Sequence, residues 1–373
     1  AGAPAQVGDI GVHDPVLIRE ADTYYMFSTG IGVDIRRSPD LVHWERAGRV
    51  LDPIPAWAML FVPGYTGHTW APDIQKVGDR YCLYYSCSTF ASHHSAIGLA
   101  TNTTLNPDDP EYRWVDQGVI VYSTDEYDNN AIDPNLIQDV DGRYYLSWGS
   151  FWTGIKMTEI DLATGKPTQD PPRVFTIAAR GPERGSVDPM DDNAIEAPFI
   201  MRKGDWFYLF VSWDLCCRGA NSNYRLMVGR AERATGPYVD FNGRDLRMDG
   251  GTLVLAGYGP RVHGPGHNGI LQDGDNDWLV HHMYDREANY RPTGQIRPLR
   301  WTDDGWPVVG GAITRNQIEE SPIETEDVLG TWTLWEDYDT SMTLRVDAGG
   351  RALLGTVETN WTLDGDRLRL GSA

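Results

Sequence analysis

The sequence predicts an all-β chain, a five-bladed β-propeller followed by a small C-terminal antiparallel β module. Three observations carry this: a short aromatic strand that recurs five times, a polar residue at a second repeat position, and the absence of long amphipathic helical patterns. The recurring strand follows a turn residue in ADTYYMFSTG, GDRYCLYYSC, DGRYYLSWGS, GDWFYLFVSW and NDWLVHHMYD. Its anchors Tyr24, Tyr81, Tyr144, Trp206 and Trp278 stand 57 to 72 residues apart. An Asp or Gly turn before alternating or continuous apolar residues marks a strand entered from a tight hairpin.

About ten residues before each anchor lies a second short segment: HDPVLI, WAPDIQKV, AIDPNLIQ, IEAPFIMR and GHNGILQD. A third strand with a polar tail follows each anchor. A blade of three or four antiparallel strands cannot bury both faces alone, so five such units must stack radially on one another. A β-sandwich of the same strands is the competing architecture, but it gives no reason for a matched polar position. The propeller is expected over residues 1–318, with the acidic, Pro-bearing EESPIET (319–325) as a linker. Residues 326–373 alternate with period two and carry hairpin signals at DAGG and DGD. That module is thin for an independent core, is expected to pack on the propeller, and reads as truncated at its GSA end.

Composition narrows the function classes. The 373 residues carry a formal net charge of −21. This argues against nucleic acid, which needs basic patches, and against an anionic membrane surface; a neutral substrate fits. The 14 Trp and 18 Tyr suit both strands and sugar-binding surfaces. No stretch reaches the length needed to span a bilayer, and the opening AGAPAQ reads as a mature terminus after signal cleavage, hence a secreted protein. Of four cysteines, Cys82 and Cys87 fall on opposite faces of one strand. Cys216 and Cys217 are adjacent and either close a vicinal ring or pack as two thiols.

The first strand of a blade lines the central channel, so its polar residue points to the axis. Counting back 8 to 11 positions from each anchor gives Asp14, Asp73, Asp133, Glu196 and His267, expected to converge on one cavity. Desolvating carboxylates is costly, and such a cluster matches glycoside hydrolysis, in which one carboxyl donates a proton and another, ionised, activates water or attacks. Glu196 is the natural acid, since Ile195, Ala197 and Phe199 raise its pKa. Asp14, in a wet His-Asp-Pro turn, is the natural base, and Asp133 tunes the acid and holds the sugar.

The motifs HDP, WAPDI, NAIDPNLI, SWGSFW, AIEAPFI, GPGHNGI and QIRPLRWTDDGWPV resemble glycoside hydrolase family 43, and within it the endo-1,5-α-L-arabinanases, from about residue 10 to 310. The resemblance implies an inverting enzyme on arabinan, a neutral plant cell-wall polysaccharide. It implies Asp14 as general base, Glu196 as general acid and Asp133 as the carboxylate that orients the acid and modulates its pKa. It also implies a calcium ion beside His267 with a structural and electrostatic role, substrate contacts from Trp70, Phe90, Asn130, Ser150 and Trp152, and a monomer. Exo-acting relatives, among them arabinan exo-hydrolases, α-L-arabinofuranosidases and β-xylosidases, differ in loops that block one end of the cleft, so endo or exo action stays open. A non-catalytic carbohydrate-binding propeller and an interaction scaffold are the readings from other classes. Asp73 has a second reading, as the partner of an Arg such as Arg297 that braces the channel.

Overall fold

In the computed structural model, residues 6–181, 193–313, 323–336, 340–365 and 367–371 are described. The chain divides into two compact units, Ala1–Arg315 and Asn316–Ala373. Most of the expected linker lies in 314–322, outside the described residues.

The first unit holds five antiparallel sheets. Their innermost strands are Val16–Glu20, His68–Val77, Asn135–Gln138, Ile195–Lys203 and Val262–Asp273. Each runs through a hairpin into the aromatic strand: Thr23–Ser28, Arg80–Cys87, Tyr144–Trp148, Trp206–Trp213 and Asn276–Asp285. Third and outer strands follow. Each innermost strand lies against the next, and Val262–Asp273 lies against Val16–Glu20, which closes the ring. The unit is a five-bladed propeller. Closure is also held by Gly294 N–H donating to the Ile10 carbonyl at 2.7 Å and by the Arg19–Asp273 and Arg261–Asp9 ion pairs.

Five apolar clusters fill the five spaces between neighbouring blades. This explains why the aromatic strands read as nearly continuous apolar runs. In the first blade Tyr25 and Phe27 enter the cluster shared with the second blade, while Met26 enters the one shared with the fifth. In the second blade Tyr81, Leu83 and Tyr85 face one neighbour, Cys82 and Tyr84 the other. A period-two strand buried on both sides leaves no polar face. Sandwich packing would need only two facing sheets; five separate interfaces exclude it. Cys82 and Cys87 are both buried, unpaired thiols of the strand Arg80–Cys87.

The long aromatic segment PAWAMLFVPGYTGHTW contributes one helical turn, Ala58–Phe61, whose Ala58, with Val62 and Tyr65 after it, packs into the first inter-blade cluster. The second unit is a five-stranded antiparallel meander from Gly330 to Leu370, around Leu344, Val346, Ala352 and Trp361. Two of its strand pairs meet where the sequence signals place them, Asp347 opposite Arg351 across the DAGG turn and Asp364 opposite Arg367.

Candidate active site

Every innermost strand bends at one residue in the left-handed region: Asp14 (φ 49°), Ala71 (46°), Asp133 (60°), Ala197 (56°) and His267 (51°). In the second, fourth and fifth blades a bulge interrupts the ladder there. Four of the five are followed by Pro, which has no N–H to lose from the ladder. The freed N–H of the bent residue turns to the blade before it. Asp14 donates to His282 Nδ1 (3.2 Å), Ala71 to Thr29 Oγ1 (2.9 Å), Asp133 to Ser86 Oγ (3.0 Å) and His267 to Ser212 Oγ (2.8 Å). In the third blade the matching position is Gly149, which has no side chain to offer, and the Ala197 N–H goes to Asp133 Oδ2 (3.1 Å).

This register corrects the expected alignment. Asp14, Asp133 and His267 occupy the bend, but Glu196 stands one residue before it, at the position that His13, Trp70 and Ile132 hold in other blades. Those four side chains border the same cavity, about 460 Å³, as Asp14, Asp133 and His267. Asp73 lies two residues past the bend and does not reach the cavity. It is buried and accepts the Leu136 N–H of the third blade at 2.8 Å, as Asn135 accepts the Ile200 N–H of the fourth. Nor does Arg297 brace it: that guanidinium bonds His281, Gln295, Tyr258 and the Gly310 carbonyl.

The three carboxyls sit in different electrostatic surroundings. Burial alone would raise Asp14, but His13 and His267 outweigh it and hold its pKa well below 3.8. His13 Nδ1 lies 2.8 Å from Asp14 Oδ2, His267 Nδ1 lies 3.1 Å from Oδ1, and Thr29 donates to Oδ2 at 2.6 Å. For His13, burial works downward, yet the Asp14 charge prevails and raises its pKa. Glu196 is pushed up to about 7 by burial, with a smaller push from the Asp14 charge; the 2.5 Å hydrogen bond from Ser150 works the other way. Asp133 is raised well above the usual range by burial, then by the charges of Glu196 and Asp14. One anion beside two neutral acids is the arrangement these surroundings favour.

Trp70, Phe90 and Trp152 border the cavity, as do Asn130 and Ser150. Trp70 is tied by its indole N–H to His68 (2.8 Å), Trp152 stands edge-on to His93, and Phe90 is 73% exposed. Asn130 is buried and accepts from Ser95 at 2.7 Å. Cys216 and Cys217 form the vicinal disulfide and line the cavity. Sequence reasoning did not single out Thr29, His282 or Tyr284. The first two follow the anchors Tyr24 and Trp278 by four or five residues, a repeat position that carries the signal.

The residues around His267 do not build a calcium cage. Calcium takes six to eight oxygens, whereas His267 has beside it the Asp14 carboxylate, which its Nδ1 already engages, and the imidazole of His282. His282 Nδ1 accepts a backbone N–H, so its Nε2 carries the proton and cannot ligate. Burial keeps His267 neutral, and with Nδ1 directed at Asp14 its Nε2 is left with a lone pair. The site therefore fits an ion that keeps its water shell and takes one nitrogen from the protein.

The sequence matches the profile of glycosyl hydrolases family 43 over residues 7–307. The chain belongs to that family. Among curated family 43 proteins it is similar to the extracellular exo-α-(1→5)-L-arabinofuranosidase of Cellvibrio japonicus, 44% identical over 80% of this chain and 86% of that one. It is also similar to the extracellular endo-α-(1→5)-L-arabinanase 1 of Bacillus subtilis, 37% identical over 82% of this chain and 92% of that one. An exo-1,5-α-L-arabinanase structure from a bovine ruminal metagenomic library superposes with a TM-score of 0.78 at 45% identity, covering 82% of this chain and 98% of that one. As a family 43 member the chain is a glycoside hydrolase.

Proposed function

We propose that this protein hydrolyses the α-1,5-linked arabinofuranosyl bonds of arabinan with inversion. The observation that carries the reading is the opposite displacement of two carboxyls in one cavity: Asp14 kept ionised, Glu196 kept protonated up to about 7. Glu196 then donates its proton to the leaving glycosidic oxygen. Asp14, aligned by His13 and Thr29, takes a proton from the attacking water, and no covalent glycosyl-enzyme forms. Asp133, held by the Ala197 N–H, keeps the acid in place and supports its raised pKa. Trp70, Phe90 and Trp152 supply apolar faces for the sugar, and Asn130 a polar one. The linkage rests on the names of the relatives, and their extracellular description supports secretion.

A calcium ion, where bound, would be held by His267 Nε2 and would supply positive charge beside the carboxylates. Internal cleavage is the expectation from the motifs. Exo action is the second reading, favoured because the relatives named as exo-acting share 44% and 45% of residues against 37% for the Bacillus endo-arabinanase.

The test is the time course of products from linear 1,5-α-arabinan. Mixed oligosaccharides with a rapid fall in viscosity mean endo action; only mono- or short oligosaccharide at nearly constant viscosity means exo action. No product, with an aryl xyloside cleaved instead, would overturn the substrate.

A further inference from the structure

A chain of short contacts runs from the vicinal disulfide to the proposed base. Cys217 N–H donates to Tyr284 Oη at 2.7 Å, Tyr284 Oη lies 3.0 Å from His13 Nε2, and His13 Nδ1 lies 2.8 Å from Asp14 Oδ2. The sulfur closes the cluster: Cys217 Sγ is 3.5 Å from Tyr284 Oη and 3.7 Å from His13 Nε2. His13 is fixed on its other face by stacking on His282, with ring centroids 3.9 Å apart. Tyr284 itself is buried on the aromatic strand of the fifth blade, whereas Cys217 stands on an exposed loop. An exposed loop is a poor place from which to fix a buried phenol, unless something fixes the loop.

The disulfide does that. Adjacent cysteines joined through sulfur close an eight-membered ring around their shared peptide, so Cys217 cannot rotate freely. Its backbone sits in the left-handed region (φ 64°), which a β-carbon disfavours. In that conformation its N–H points at Tyr284. Leu215 and Arg218 on either side are hydrogen-bonded to Asn223 and Ser222, but with two separate thiols the peptide between the cysteines would be free to rotate, and the phenol would lose the donor that orients it.

We propose that the Cys216–Cys217 ring is a positioning element of the active site, which holds Tyr284, through it His13, and through His13 the Asp14 carboxylate. Turnover then depends on the pair being oxidised. The inference rests on Asp14 as the base, and it adds two groups to the machinery, the ring and Tyr284, which act on Asp14 through His13. Because the chain ends on the base rather than on the sugar, its loss should appear in kcat and leave KM alone.

The experiment compares kcat and KM on linear arabinan for the oxidised protein, the same protein reduced with dithiothreitol, Cys216→Ser/Cys217→Ser, and Tyr284→Phe. Reduction passes two electrons and two protons to the pair, and dithiothreitol leaves as its own cyclic disulfide. It is verified by the free-thiol count in denaturant rising from two to four. The expected result is a fall in kcat of about tenfold for the reduced protein, the double serine variant and Tyr284→Phe alike, with KM within about twofold. Reduction should cost Tyr284→Phe nothing further, since both changes break one chain. Full kcat in the reduced or double serine protein overturns the proposal, as does a rise confined to KM, or independent, multiplying losses from reduction and Tyr284→Phe. Asp14→Asn separates this from the underlying reading: if it keeps wild-type turnover, the base assignment itself fails.

Discussion

The backbone N–H of Ala197 donates to Asp133 Oδ2 at 3.1 Å, whereas the equivalent N–H of every other blade is received by a Ser, Thr or His of the preceding aromatic strand. Gly149 leaves that receiving position empty, and a β-carbon there would lie 2.6 Å from the Gly154 carbonyl oxygen. Asp133 therefore has a structural duty beside its proposed catalytic one, and the two can be separated. Asp133→Asn keeps an acceptor for Ala197, and Asp133→Ala does not. Both should lose most turnover, but only the alanine variant should lose stability, by about 1–3 kcal/mol for a buried N–H left unpaired. Denaturant unfolding of the two variants checks this; equal stabilities would refute the structural duty.

Glu196 should set the alkaline limb of kcat/KM near pH 7, and Asp14 the acidic limb below 3.8. Ser150 donates to the ionised form of Glu196 and so holds its pKa down. Ser150→Ala should move the alkaline limb to higher pH and leave the acidic limb in place. A downward move in the pH profile would contradict this.

The same shift acts on stability. Glu196 has a folded pKa near 7 against an ordinary 4.5, so the native state binds the extra proton between those values and stability falls as pH rises through them. Glu196→Gln, which cannot ionise, should gain on the wild type by about 3 kcal/mol above pH 7 and by little below pH 4.5. Thermal unfolding at pH 4 and pH 8 measures the difference; a gain independent of pH would sink the argument. The same variant should lose about a thousandfold in kcat on arabinan.

Calcium bound at His267 would be felt as charge, not as scaffold. Chelation should lower kcat without unfolding the protein, added calcium should restore it, and His267→Ala should be insensitive to both. Isothermal titration with calcium is the direct check, and equal calcium binding by wild type and His267→Ala would remove the ion from this position.

The inter-blade clusters should be intolerant of voids. Phe27 is fully buried between the first two blades, and Phe27→Ala should cost about 3–5 kcal/mol, measured by denaturant unfolding.

The repeat, the strand order and the blade count are legible in the sequence because each aromatic strand is packed on both sides by neighbours and each hairpin needs its own turn residue. Those are local requirements, and they leave local marks at Tyr24, Tyr81, Tyr144, Trp206 and Trp278. Asp14, Asp133, Glu196 and His267 could likewise be picked out as polar residues on the innermost strands. What the sequence did not decide is the register of the bend. Distance from the anchor put Asp73 with the carboxylates, whereas aligning the residues that precede Pro15, Pro72, Pro134 and Pro198 selects Ala71 and Ala197. The choice belongs to tertiary structure, because the bend is stabilised by an acceptor on the preceding blade, far away in the chain. The ionisation states are decided there too. Asp14 and Asp133 share an Asp-Pro context, yet one is held ionised by two histidines from its own and the fifth blade, and the other is kept neutral by burial and by Glu196. The pairing of Cys216 with Cys217, left open by adjacency alone, is likewise settled only in the folded chain, on the loop after Trp213 where the Cys217 sulfur meets Tyr284 and His13.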